Sequence, residues 1–133
     1  MDDAQTLATL LFSETKDLED AKGIANVTLN RIKRGGRFGT NIQEVVYAPQ
    51  QFSGVGTKEW NKAANMQFAN KNEENIYKQF LQISNMALNG KLEDNTAGAD
   101  HYVNLKISNP SWAKKMKQTT KIGQHTYFNE LGK

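Results

Sequence analysis

One carboxylate stands out for its position. Glu14 closes a short apolar segment containing Ala4, Leu7, Ala8, Leu10, Leu11, Phe12 and Ser13. Leu7, Leu11 and Glu14 recur at i, i+4 and i+7. On a helix turning about 100° per residue, Glu14 then projects within roughly 20° of Leu7, on the face meant for the core. A carboxylate there is costly to bury unless it is paired or protonated. Burial raises its pKa, and a raised carboxyl pKa suits a general acid. The alternative is a structural Glu14, paired with a lysine or arginine or reaching solvent at a fraying helix end.

A second group of residues suits sugar binding. Gln50, Gln51, Phe52, Ser53 and Gly54 set amide and hydroxyl hydrogen bonders beside an aromatic ring, in a loop after Pro49. Sugars are held this way, with polar groups on their hydroxyls and a ring against the apolar side of the pyranose. Phe52 could equally plug the core, and the same two roles are open to Tyr102, Trp112 and Tyr127. No metal or cofactor is expected. The two histidines, His101 and His125, lie 24 residues apart, with no spaced pair on a helix. They would converge, with Asp100 as a third ligand, only if their segments paired as strands. Ser13 lacks the Gly-x-Ser-x-Gly turn of a nucleophile elbow, and Gly35-Gly36 ends a helix instead of cradling a phosphate.

The elements that must position these groups are mainly helical. A chain of 133 residues with 38% hydrophobic and 23% charged residues is sized for one core in one domain spanning 1–133. A first helix starts after Asp2 or Asp3 and runs to about Thr15. A second, from about Glu19 to Lys33, is apolar over much of its circumference and reads as a central, buried helix. A short helix capped by Thr40 or Asn41 turns Ile42, Val45 and Val46 inward. Two more follow, at about 59–70 and 72–88, the last stopped by Asn89-Gly90. Beyond Gly90 the helical period is lost. Ile122 to Phe128 reads as a strand whose partner is His101 to Asn104. The expected class is mainly α (α+β), with a small β element near the C-terminus.

Charge and composition exclude several functions. No apolar run approaches the roughly 18 residues of a membrane span, so no membrane insertion is expected. There is no cysteine, hence no disulfide or thiolate chemistry. Net charge is +3, unevenly spread: residues 1–20 carry six acids and one base, and residues 101–129 five lysines and no acid. That suits an anionic polymer or a solvated lysine face. No DNA-reading helix stands out, so nucleic acid is not the expected partner. Monomer is the default.

Taken together, the motifs resemble the SleB/CwlJ-type cell-wall hydrolases, the spore-cortex-lytic family that also occurs in other bacteria and in phage lysins. The matching segments are Leu11-Phe12-Ser13-Glu14, Ala25-Asn26-Val27-Thr28-Leu29-Asn30-Arg31, Arg37-Phe38, Ile42 with Val45-Val46, and Gln51-Phe52-Ser53. The C-terminal half adds Thr96-Ala97-Gly98-Ala99, His101-Tyr102, Pro110-Ser111-Trp112 and the run from Ile122 to Phe128. One departure follows the glutamate: the family's usual Ala-Arg-Gly-Glu is here Thr15-Lys16-Asp17-Leu18.

The resemblance implies a lysozyme-like, lytic-transglycosylase-like helical domain acting on peptidoglycan glycan strands. It implies Glu14 as the catalytic residue, acid and then base, cleaving the MurNAc-GlcNAc bond to a 1,6-anhydro product. Gln51, Phe52, Ser53, His101 and Tyr102 are expected to bind substrate, with Asn30 and Arg31 as supports around Glu14. Arg31 could instead pair with Glu14 and lower its pKa. A hydrolytic lysozyme is the close rival. It needs a second carboxylate, for which Asp17, Asp20, Asp94 and Asp100 are candidates, Asp100 first. A non-catalytic glycan-binding module is the alternative of another class. A chain without leader or wall-binding repeat fits a phage lysin made in the host cytoplasm, or a trimmed secreted or spore protein.

Overall fold

The computed structural model describes residues 1–49 and 51–131. Helix α1 (Asp3–Glu14) begins with a reciprocal cap: the Gln5 N–H donates to Asp2 Oδ1 at 2.8 Å, and the Asp2 N–H to Gln5 Oε1 at 3.0 Å. Thr6 through Phe12 are all buried, so α1 is enclosed by its neighbours on every side. Helices α2 (Leu18–Arg34), α3 (Ile42–Tyr47), α4 (Lys58–Ala64) and α5 (Lys71–Leu88) all pack on it. Leu7, Leu10, Leu11 and Phe12 are fully buried. Each such side chain contributes roughly 1.5–3 kcal/mol by leaving water. The expected central helix, α2, is also largely buried, but it lies between α1 and the sheet.

The caps explain where the other helices begin. Asp17, Asn41, Thr57 and Asn70 each accept from a backbone N–H three residues on, at α2, α3, α4 and α5. Helix α4 stops at Ala64, well short of the expected residue 70. Met66 adopts a φ of 55°, and the chain turns back so that Phe68 can pack on Phe12 and Tyr77, with ring centroids 5.6 and 5.3 Å away. Aromatic packing overrides the helical pattern there.

The C-terminal part forms a three-stranded antiparallel sheet in the order β1-β3-β2, from β1 (His101–Val103), β2 (Lys117–Ile122) and β3 (His125–Asn129). The expected pairing of the two segments is present, with Tyr102 opposite Tyr127. The expected single strand from Ile122 to Phe128 is instead two strands joined at Gly123-Gln124. Gly123 sits at a φ of 56°, the conformation a two-residue hairpin needs. Strand β3 is central, and His125 to Phe128 are buried. Helix α2 reaches it through Gly23, where a Cβ would lie 2.4 Å from the Tyr127 hydroxyl.

Candidate active site

Glu14 is the last residue of α1, and the chain around it keeps its charge uncompensated. Lys16, two residues away, donates to the Phe12 carbonyl and pairs with Glu59 at 3.0 Å, so it is turned from Glu14. No lysine or arginine among the described residues pairs with Glu14. Its Oε1 accepts instead from the Gly54 N–H at 3.0 Å. A Cβ on Gly54 would lie 2.2 Å from Ser13 Oγ and 2.8 Å from Glu14 Oε1. Only glycine lets the loop approach this closely. Burial raises the Glu14 pKa above the ordinary carboxyl value; the Gly54 bond and nearby His125 offset part of that rise.

Glu14 opens onto a groove of about 450 Å³, which Ser53, Tyr102, Asn104, Gln124 and His125 also line. His125 is anchored from behind: its Nδ1 is 2.6 Å from Oδ2 of Asp20, a fully buried carboxylate. Asp20 Oδ1 accepts from the Tyr127 hydroxyl, also at 2.6 Å. Burial and the Asp20 carboxylate push the Tyr127 pKa up, so this hydroxyl remains a donor. Tyr102 is the wall of the groove. Burial, then the nearby Glu14 charge, holds its pKa well above the usual phenol value. Its hydroxyl is buried near Glu14 and helps to lower that carboxyl's pKa, although the two fall short of full hydrogen-bonding geometry.

The anticipated binding residues divide between two hollows. Ser53 and Tyr102 share the groove with Glu14. Gln51 and His101 line a second hollow of about 350 Å³ on the other side of Tyr102, with Arg31, Arg37 and Trp112. Phe52 offers no ring to a ligand: it is buried and stacks on Tyr102, with centroids 6.1 Å apart. Gln50 lies outside the described residues. Asn30 and Arg31 support the approach to β1 and do not bond to Glu14. Asn30 Nδ2 donates to the Ala99 carbonyl at 2.8 Å, and Arg31 Nε to the Asp100 carbonyl at 2.8 Å.

The candidate second carboxylates are occupied elsewhere. Asp100 is fully buried between Arg34, His101 Nδ1 and the Glu130 N–H. Burial acts to raise its pKa, but those partners prevail and hold it below the usual range. Asp94 folds its own turn, accepting from the Thr96 and Gly98 N–H groups. Asp20 serves His125 and Tyr127. Asp17 caps α2 and lines a shallower depression that shares Gln124 with the groove. The two histidines do not converge, since each has its own aspartate.

Asn104 and Gln124 are site residues that the sequence pattern did not single out, whereas His125, weighed there as a metal ligand or a hydrogen-bonding group, lines the groove. The available signal was the Gly123-Gln124 turn preceded by β-branched Thr119 and Thr120, which marks a hairpin and sets His125 at the start of a strand.

Comparison with known proteins bears on this geometry. In fold, the chain is similar to the catalytic domain of the germination-specific lytic transglycosylase SleB from Bacillus anthracis. Sequence identity is 24%, coverage 96% of this chain and 93% of that one, and the TM-score 0.66. The catalytic domain of the Bacillus cereus SleB protein is similar at 23% identity, with coverage of 96% and 89% and a TM-score of 0.65. No curated protein sequence matches. The family model described as Cell Wall Hydrolase matches residues 16–128, a span that begins just after Glu14. The groove and its half-buried carboxyl are thus found on the fold of a cell-wall enzyme, and the chain belongs to the Cell Wall Hydrolase family.

Proposed function

We propose that the protein cleaves the β-1,4 bond between N-acetylmuramic acid and N-acetylglucosamine in peptidoglycan, as a lytic transglycosylase with Glu14 as its catalytic residue. The observation that carries this reading is a single carboxyl, without a lysine or arginine partner, in a groove that no other carboxylate lines among the described residues. The similarity in fold to a lytic transglycosylase catalytic domain supports it.

The chemistry follows from the neutral acid. Glu14 gives its proton to the glycosidic oxygen as the bond to the muramic acid C1 breaks, freeing the N-acetylglucosamine 4-hydroxyl. Positive charge develops at C1 next to the carboxylate just formed. The muramic acid 6-hydroxyl adds to C1 and returns its proton to Glu14. The 1,6-anhydro ring closes, and Glu14 is ready for another cycle without consuming water. Gly54 N–H holds one carboxyl oxygen through both transfers. Tyr102 stays protonated as a donor, and Ser53, Asn104 and Gln124 supply hydrogen bonds to sugar hydroxyl and acetamido groups. The chain is proposed to work as one catalytic unit over 1–133 and as a monomer.

A hydrolytic route needs a second carboxylate roughly 5–9.5 Å from the first. Asp17 is the residue to test for it, because its depression shares Gln124 with the groove. Mass spectrometry of muropeptides released from purified walls separates the routes. Anhydro ends are expected. Reducing ends would replace the intramolecular closure with attack by water.

A further inference from the structure

Three arginines, Arg31, Arg34 and Arg37, gather at and just beyond the end of α2, against two carboxylates, Asp100 and Glu130. Arg34 pairs with both, reaching Glu130 at 2.7 Å, and Arg37 pairs with Glu130. Arg31 pairs with neither. Its Nε is used on the Asp100 carbonyl, while Nη1 is buried and has no partner among the described residues. The side chain is only 3% exposed. Its Cζ lies 4.5 Å from the Phe52 ring centroid and 5.1 Å from that of Phe38, so the guanidinium is held between two rings and cannot swing out to water. A buried charged donor without an acceptor is costly, and folded proteins keep few of them without a reason.

Nη1 itself is closed to ligands, but the small part of Arg31 that is exposed contributes to the lining of the second hollow. At about 350 Å³ it falls in the size range of small-ligand sites. Trp112 and His101, with rings 5.0 Å apart, give it an aromatic side, and Gln51 adds an amide. Arg37, which also pairs with Glu130, brings a second guanidinium to its lining, and no acidic side chain among the described residues lines it. Tyr102 belongs to both hollows, so a strand lying across the Glu14 groove would place its next substituents here.

We infer that this second hollow is a carboxylate subsite, in which Arg31, helped by Arg37, binds an acid group of the peptidoglycan strand beside the bond that is cut. A planar guanidinium matches a carboxylate in shape and charge. The inference rests on the proposed peptidoglycan reading. Two sources offer the same chemistry: the lactyl carboxylate of a muramic acid without its stem, and a carboxylate of the peptide stem.

The test is calorimetric titration of the full chain carrying Glu14→Gln, which keeps the ligand intact. The probes are glycan tetrasaccharides in two arms, stem-free or stem-bearing. Each arm is measured with its carboxylates free and with them converted to methylamides. A free acid binding about tenfold tighter than its amide is expected in one arm, and that arm identifies the source. Arg31→Gln should abolish the preference, and Arg37→Gln should reduce it about threefold. Arg37 is largely exposed, so its variant reports even where Arg31→Gln fails to fold. Equal affinity for acid and amide in both arms overturns the subsite, as does a preference untouched in the folded Arg37→Gln and Arg31→Gln proteins. Residual wall clearing by Glu14→Gln would instead count against the catalytic assignment, a separate outcome.

Discussion

Tyr102 separates two hollows of similar size and opposite electrostatic design. On one side a half-buried carboxyl has no lysine or arginine partner, and burial raises its pKa. On the other a guanidinium is buried without an acid. Burial there lowers the pKa instead, but from so high a value that the group stays charged. The same physical cost thus yields two different tools: a carboxyl that can hold or release a proton, and a fixed charge that can only attract. Their surroundings match those tasks. Glu14 is gripped by a backbone N–H on a glycine loop, and Arg31 by two aromatic rings.

The strongest way to break this contrast is Glu14→Gln. Wall-clearing activity should fall about a thousandfold, while circular dichroism remains that of the parent. Full activity would reduce Glu14 to a structural role. Next is Gly54→Ala, whose new methyl meets Ser13 Oγ and Glu14 Oε1. Displacing the carboxyl by about an ångström should cost roughly a hundredfold in kcat. Unchanged turnover would show that the loop does not set the position of the acid.

Asp20→Asn probes the wall opposite. It weakens the support of His125 and Tyr127 together, and about tenfold in kcat is expected, equivalent to about 1.4 kcal/mol. A change confined to KM would contradict a role in holding His125 for the chemical step. The smallest effect sharpens the comparison through pH. A carboxyl whose folded pKa is raised contributes stability below its unfolded value, near 4.3, and loses it as pH rises through the folded value. Glu14→Gln should therefore be more stable than the parent at pH 7 by about 1 kcal/mol, with the difference vanishing below pH ~4. Activity should fade on the basic side only above the ordinary carboxyl pKa, because the acid must hold its proton. A variant less stable than the parent at pH 7 would mean that Glu14 is held as an ion.

Much of the helical part was legible because local chemistry specifies it. Asp2 and Asn41 announce helix starts, and the spacing of Leu7, Leu11 and Glu14 marks an inward face. The sheet was harder. Lys117 to Ile122 carries lysines at exposed positions, and its strand character shows only when it pairs with β3. Phe52 illustrates a different limit. Its sequence context suits a sugar platform equally well, and only the packing of Tyr102 and Arg31 on its two sides assigns it to the interior.

By itself the sequence determined the mainly helical class, the β pairing of its C-terminal segments and the inward direction of Glu14, since periodicity and caps act over a few residues. Tertiary structure decided what faces that carboxyl. Gly54 approaches it from 40 residues away, and His125 is fixed by an aspartate 105 residues away. It also decided that Asp100 is locked in an ion pair and that Arg31 is left without one. Whether a buried charge finds a partner depends on chain segments remote in sequence, and that distribution of partners separates an acid from an anchor.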